Sequence, residues 1–518
     1  MKKLVCLLSF TLAFFSAWAD VSFKFQGGYY FPLDSEMDSS LNAEAGFEFS
    51  PITVRQRDSI LFSADAGYGI LKANGVKNFN YTTGSLGVGY EFAPIDRFSM
   101  SLIGLAGIWS VPESKENAFP SASGILYGAK LNGYFNFSPS ISIGAYVGYR
   151  KFNYSPDPFL STMDAGLVFR YNFSRGIMGT SRIKPQYYSF DPLFPVFYSQ
   201  YNDIPFGKVV FKNTEKNNIT DVDISIFIEK FMATPHVVAH YDLVEMGQDF
   251  EADVTAFLNE SILNQILPSP SGAKIIVSYS SIGSSKEFVQ NVELQTLGRN
   301  NMSWDEDERA AAFVSGKDAA ANKFANIVRI LLRDRVDFTA RNRNELYARA
   351  MFAALKAYGL NYVVDPTSAF TDNSGSSSID FLQFPYQTIL YHGGDCDDLT
   401  ILNCSLLEAL GVETAFITVP GHIYMAYDSG YAVSEAGKVG DGMYIIQNDK
   451  VWIPVEITLC QDSYALSKST GFREWKKYPN DAKLIPLKEA WKMYRPISIP
   501  ESDVDFEIPS KEKILRYF

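Results

Sequence analysis

From Val21 to about residue 174, apolar residues alternate with small or polar ones in run after run. Val21, Phe23, Phe25, Tyr29 and Phe31 fall on one parity, as do Leu41, Ala43, Ala45, Phe47 and Phe49. Leu86, Val88, Tyr90 and Phe92 repeat the pattern, and so do Ile141, Ile143, Ala145, Val147 and Tyr149. A period of two sends successive side chains to opposite faces of a strand, so each run has two faces of different character. Eight strands are predicted, at roughly 20–31, 39–50, 58–71, 81–93, 97–110, 123–138, 140–153 and 162–173.

A punctuation recurs along these runs. The stretches Gly46 to Pro51, Gly89 to Pro94 and Gly133 to Pro139 each carry aromatics and close a strand, their prolines about 44 residues apart. That spacing is one hairpin pair per repeat. Turns at Pro94 and Pro139 are short and the one at Pro51 somewhat longer, whereas connections at 32–38, 72–80, 111–122 and 154–161 are longer and more polar. In length and layout the segment resembles small eight-stranded outer-membrane barrels, with aromatics near strand ends as interface girdles. A soluble β-sandwich or a lipocalin-like barrel is the competing expectation. An eight-stranded barrel fills its own interior with side chains, so the resemblance implies an anchor or an adhesin-type surface barrel more than a channel.

The first residues read as an export leader. Lys2 and Lys3 precede an apolar stretch from Leu4 to Phe15, and Ala17-Trp18-Ala19 is a small-x-small cleavage site that would leave Asp20 first. Cleavage would leave three cysteines, Cys396, Cys404 and Cys460. Three thiols cannot all pair within one chain, so at least one is intermolecular or reactive in an exported protein. The formal net charge of −12 argues against nucleic acid or anionic lipid as a partner.

The chain is read as multidomain: a signal peptide at 1–19, an all-β eight-stranded barrel at 20–174, an immunoglobulin-like β-sandwich at 175–300, an α+β domain at 301–500 and a C-terminal tail at 501–518. Between Arg182 and Pro195 the sequence is Tyr- and Pro-rich, read as an irregular connector. Strand-like runs follow at Gly207–Lys212, Val222–Glu229, Phe250–Phe257, Lys274–Ser280 and Phe288–Leu297. His236 and His240, four apart, have the spacing of a metal pair but lack a clear third ligand. Beyond 302 the period lengthens. Ala310 to Arg333 carries Phe313, Phe324, Ile327, Ile330 and Leu331, and Asn344 to Tyr358 carries Leu346, Met351, Leu355 and Tyr358; both read as amphipathic helices.

The chemistry lies between 385 and 458. A Gly-Gly-Asp approach leads to Cys396, then Asp397 and Asp398, then a helix with Leu399, Leu402, Leu406, Leu407 and Leu410, stopped by Gly411. Cys396 therefore starts a helix, where free N–H groups favour a thiolate, while Asp395, Asp397 and Asp398 oppose it. These acids serve as cap and helix-start charges, with calcium ligation as the alternative. Pro420-Gly421 turns the chain into a strand that begins at His422, and Val451 to Thr458 forms a later strand offering Glu456, which would orient one imidazole nitrogen. Cys404 lies among leucines as a core residue, about 12 Å along the helix from Cys396 and out of disulfide reach. His392 reads as a loop residue.

Gly394-Asp395-Cys396-Asp397-Asp398, the Leu-rich helix ending at Gly411, Gly421-His422 and Trp452-Ile-Pro-Val-Glu456 together resemble a bacterial transglutaminase-like domain over about 340–460. The resemblance implies a papain-like core with Cys396 as nucleophile, His422 as general base and acid, and Glu456 as orienting acid, where the family more often has Asp. Gln387 is a candidate oxyanion donor, beside backbone N–H groups at Cys396. No cofactor or metal is expected. The implied activity is attack on an amide through a Cys thioester, as a peptidase, amidase or transamidase, on a peptide or cell-wall amide. The barrel would sit in outer-membrane lipid with the other domains in the periplasm. A membrane-anchored binding or scaffold protein with a degenerate thiol domain is the second expectation, and an adhesin-type barrel the third.

Overall fold

The computed structural model describes residues 20–33, 37–54, 58–73, 78–113, 121–153, 158–173, 181–335, 337, 342–364 and 379–518. The expected leader and the centres of the four long barrel connections lie outside the described residues.

Eight long strands form the first unit: β1 (Asp20–Pro32), β2 (Ser40–Thr53), β3 (Ser59–Ala73), β4 (Phe79–Ile95), β5 (Phe98–Val111), β6 (Ala122–Asn136), β7 (Ile141–Asn153) and β8 (Pro158–Asn172). Each pairs antiparallel with the next, and β1 also pairs with β8, Phe25 opposite Phe169, so the sheet closes. A two-residue ribbon, Met37–Asp38, adds to the end of β3. Two of the prolines expected to end strands sit instead inside strand ends, at register shifts between Phe49 and Ile52 and between Phe92 and Ile95. A bulge accommodates a residue that cannot donate to the ladder.

The alternation sorts the side chains. Outward faces are apolar, with Leu86 71% and Leu167 70% exposed. Inward faces carry a charged network: Lys24 pairs with Glu48 and Asp65, both at 3.2 Å, and Lys130 with Glu44 at 2.7 Å. Arg150 bridges Glu44 and Asp164, and Arg170 reaches Glu91 at 2.9 Å while lying over the Tyr134 ring. Buried Tyr30, Tyr81 and Phe152 form one inward cluster beside these charges, and Tyr134, Tyr146 and Val168 another. At one mouth, Lys216 Nζ of the next unit meets Asp20 Oδ2 at 2.6 Å.

That next unit has two sheets. One is three-stranded, built from β9 (Ile183–Phe190), β10 (Gly207–Asn213) and β13 (Asp249–Asp253) in the order β9-β10-β13. The other contains β11 (Ile219–Phe227), β12 (His236–Val244), β14 (Ser269–Ser281) and β15 (Ser284–Thr296) in the order β12-β11-β14-β15. Phe211 and Phe250 of the first share a core with Ile224, Val277 and Leu294 of the second. Two readings need correction. The stretch read as an irregular connector contains β9, an edge strand exposed along almost its whole length, so no alternation marks it; Pro185 sits at its bulge. Strand β12, at the edge of the second sheet, was missed for a different reason: its burial is mixed and half-buried, without a clean alternation.

The last unit is α+β. Its helices are α1 (Ala319–Leu332), α2 (Arg343–Tyr358), α3 (Pro385–Tyr391), α4 (Cys396–Ala409), α5 (Tyr464–Lys477), α6 (Leu487–Ala490) and α7 (Lys511–Leu515). A short parallel pair joins β16 (Asn361–Tyr362) to β17 (Gly393–Gly394). Strands β18 (Thr414–Val419), β19 (His422–Asp428), β20 (Ile445–Gln447), β21 (Lys450–Val455) and β22 (Lys483–Pro486) form an antiparallel sheet in the order β20-β21-β19-β18-β22. The helix expected from Ala310 is broken: a 3₁₀ segment, Asp307–Phe313, precedes α1. Asp318 caps α1, its Oδ1 accepting from Ala321 N at 2.9 Å. The buried face of α1 is Phe324, Val328 and Leu332, while Ile330 is half exposed.

Helix α4 is buried from Cys396 through Leu407, with the polar Asp397, Asp398, Thr400, Asn403 and Ser405 buried along with the leucines. It lies on one side of the sheet. On the other, Trp475 of α5 packs against Ile417, Tyr424 and Trp452. The main core runs from Ile183 to Ile514 without a break at 300. Residues expected as a tail fold back, Ile514 fully buried and Phe506 against Phe324. Among the described residues no helix is long and apolar enough to cross a membrane.

Candidate functional site

Cys396 is the first residue of α4. Asp395 is its cap, and Asp395 and Asp398 exchange side-chain and backbone hydrogen bonds, both at 3.4 Å. The helix start leaves the N–H groups of Cys396 and Asp397 without carbonyl partners inside the helix. The thiol is 3% exposed. Burial first, then the Asp397 and Asp395 carboxylates, push it well above the ordinary thiol range, while the Ile423 N–H acts in the opposite sense.

That N–H belongs to the residue after His422. Pro420 and Gly421 make the two-residue turn between β18 and β19, and Gly421 takes φ 72°, which glycine adopts without strain. Val419 faces His422 and Thr418 faces Ile423, and β21 joins β19 only from Met425 onward. The first residues of β19 are therefore left to face α4.

His422 donates from Nε2 to Glu456 Oε2 at 2.7 Å. The imidazole is part-exposed and the carboxylate buried. The other Glu456 oxygen accepts from Thr458 N at 3.2 Å and Thr458 Oγ1 at 2.6 Å, so both carboxylate oxygens are fixed. With Nε2 protonated, Nδ1 keeps its lone pair and can accept a proton. The His422 ring lies over Tyr424. Gly471 on α5 allows this close packing, since a Cβ there would stand 3.1 Å from Glu456 N.

The structure thus joins His422 to Glu456 and sets Cys396 against the backbone beside His422. It does not bring Gln387 into the set. Gln387 Oε1 accepts from Asn300 Nδ2 at 2.7 Å and Phe384 N at 2.8 Å, and its donor Nε2 turns to Asn300 Oδ1 at 3.5 Å, tying α3 to the segment at 300. Thr458 was quoted in the sequence run without a role. Tyr362 was missed, lying in no motif. Tyr362 pairs with Gly394 between β16 and β17, which places it beside the approach to Cys396.

Asp395, Asp397 and Asp398 offer oxygens within 4.8 Å of one another, the spacing of a cation site. Burial and then Asp395 push Asp398 up to about 8, and burial and a bond to Asp395 raise Asp397 well above the carboxylate range. His236 and His240 form no joint site: His240 meets Asp223 and Asp242, and His236 meets Thr255. Cys404 is fully buried, and Cys460 donates to the Leu360 carbonyl at 3.2 Å. All three cysteines are free thiols.

The fold and site define a closed barrel joined to an α+β unit with a cysteine, histidine and glutamate near one another. No protein-family model matches the chain, and no curated protein matches it. Among solved structures, the chain is similar to Neisserial surface protein A, with 12% identity over 30% of this chain and 99% of that one, TM-score 0.24. It is also similar to Ail, the attachment invasion locus protein of Yersinia pestis, with 16% identity over 30% and 97%, TM-score 0.20. A third is the N-terminal β-barrel domain of Pseudomonas aeruginosa OprF, with 14% identity over 30% and 98%, TM-score 0.19.

Proposed function

We propose that this chain is an exported thiol enzyme of transglutaminase-like type, acting on amide bonds and carried by an outer-membrane barrel. The observation that carries the reading is the 2.7 Å contact between His422 Nε2 and Glu456, with Cys396 heading α4 against the next backbone N–H. His422 Nδ1 takes the thiol proton as sulfur attacks the amide carbonyl. The C–N bond then breaks, the amine leaves with the proton from His422, and a thioester remains. Water or a second amine attacks the thioester, His422 takes the incoming proton, and the sulfur leaves as thiol. Burial and the neighbouring acids disfavour the thiolate, so in this reading proton transfer to His422 accompanies attack. The substrate class is a peptide or a cell-wall amide.

The membrane placement is supported by the barrel itself. Its outward residues are apolar and bare, and its charges are turned inward and paired. A binding role with an unreactive thiol is the second reading, favoured by the burial of Cys396 and its acidic neighbours.

Phenyl vinyl sulfone on the full-length protein in detergent distinguishes them. Thiolate addition to the alkene needs a proton delivered to the resulting carbanion, which an imidazolium supplies. The enzyme reading requires a Cys396 adduct that is lost in His422→Ala. An adduct that forms equally in both proteins favours the binding reading.

A further inference from the structure

Helix α3 ends at His392, which takes φ 56° and ψ 28°. Two glycines follow, yet neither carries the left-handed turn. They serve a different need. A Cβ on Gly393 would stand 2.8 Å from the Asn361 carbonyl oxygen, and one on Gly394 would stand 2.4 Å from Asp398 Cβ. Glycine is thus spent on close approach to β16 and to the start of α4, and the turn falls to a residue with a ring. Helices commonly stop on glycine in this conformation, because a Cβ there is crowded.

The ring is engaged. His392 stacks on Tyr358 with centroids 4.3 Å apart and planes 11° from parallel. Tyr358 is anchored in turn, its hydroxyl donating to the Ile389 carbonyl at 3.1 Å and its ring set edge-on to Phe324 at 5.6 Å. The His392 carbonyl accepts from Asn361 N at 3.0 Å, and Gly394 accepts from Val363 N at 2.8 Å. The four residues between α3 and Cys396 are therefore held at His392 by a ring and at the glycines by a strand.

We propose that His392 is a positioning residue for Cys396: its stack on Tyr358 fixes the left-handed turn that aims the Gly393-Gly394-Asp395 approach at the nucleophile. This rests on the reading of Cys396 as nucleophile. The stack, and not the polar character of the imidazole, is the working feature, so another planar ring serves.

The test uses the full-length protein with two variants. His392→Gly relaxes the turn and removes the ring, and it accommodates the observed φ. His392→Phe keeps a ring. Amide hydrogen exchange over 393–398 reads positioning directly, and phenyl vinyl sulfone labelling of Cys396 across pH reads its consequence. His392→Gly is expected to speed exchange over 393–398 by about tenfold and to slow labelling comparably, and His392→Phe to restore both. Unchanged exchange in His392→Gly overturns the proposal, as does a Phe variant as impaired as the Gly variant. Faster exchange in His392→Gly, in a protein whose wild-type Cys396 takes no adduct, retains the positioning role and removes the thiol-enzyme reading.

Discussion

His422 and Glu456, 34 residues apart in sequence, meet at 2.7 Å between Nε2 and Oε2, and Thr458 holds the other carboxylate oxygen. This fixes the imidazole by one nitrogen and leaves the second for chemistry. Glu456→Ala removes the orienting group and strands the Thr458 donors in a buried site. Vinyl sulfone labelling of Cys396 is expected to fall by about 10²- to 10⁴-fold. Stability is expected to fall by about 1–3 kcal/mol in thermal unfolding. Glu456→Asp is expected to recover part of the labelling, because the shorter acid keeps the charge but not the reach.

The Asp395 carboxylate caps α4 beside the thiol and raises it. Asp395→Asn removes that like charge while keeping a capping side chain, so the thiolate becomes less costly and the midpoint of Cys396 alkylation by iodoacetamide moves to lower pH. Peptide mapping across a pH series reads this. A midpoint that stays or rises shows that Asp395 does not set the thiol.

Much of this is legible in the sequence. The barrel strands announce themselves because a closed sheet between two different environments imposes strict alternation, visible in Leu86, Val88 and Tyr90. Cys396, His422 and Glu456 each sit at an element boundary marked by glycine, proline or acids. What failed to show has physical reasons too. Strand β9 is exposed along its length and so carries no alternation. Helix α1 starts late because Asp318 caps it, although the apolar period begins earlier. Gln387 has the right chemistry for an oxyanion donor, but its hydrogen bonds go to Asn300 and Phe384, a long-range pairing that no local pattern reveals. Tyr362 reaches the site only through β16 beside β17.

Protonated acids in the fold make stability depend on pH. Asp398 is pushed up to about 8 and Asp318 to about 6, from an ordinary 3.8. Between those limits the folded chain keeps protons that the unfolded chain has released. Their contribution is therefore full below about pH 4 and is lost as pH rises through about 6 and then about 8. Thermal unfolding of Asp398→Asn is expected to show a flatter pH dependence than wild type over this window. An equally steep dependence contradicts the protonated cluster.

Arg150 bridges Glu44 and Asp164 inside the barrel, with both carboxylates buried. Arg150→Ala leaves the buried Asp164 without its ion-pair partner and Glu44 with Lys130 alone, and is expected to cost about 3–5 kcal/mol in urea unfolding of the detergent-folded protein. Wild-type protein in a planar bilayer is expected to conduct no ions, because the interior network fills the lumen. A steady open channel contradicts that account.

The most direct test of the central claim is capture of the acyl-enzyme. Full-length protein is mixed with p-nitrophenyl acetate and quenched in acid, and the acetyl group is located by peptide mapping. The account predicts a thioester on Cys396, removed by neutral hydroxylamine, that turns over in wild type and does not form in His422→Ala. Acetyl groups spread over lysines, or a Cys396 thioester indifferent to His422, would contradict it.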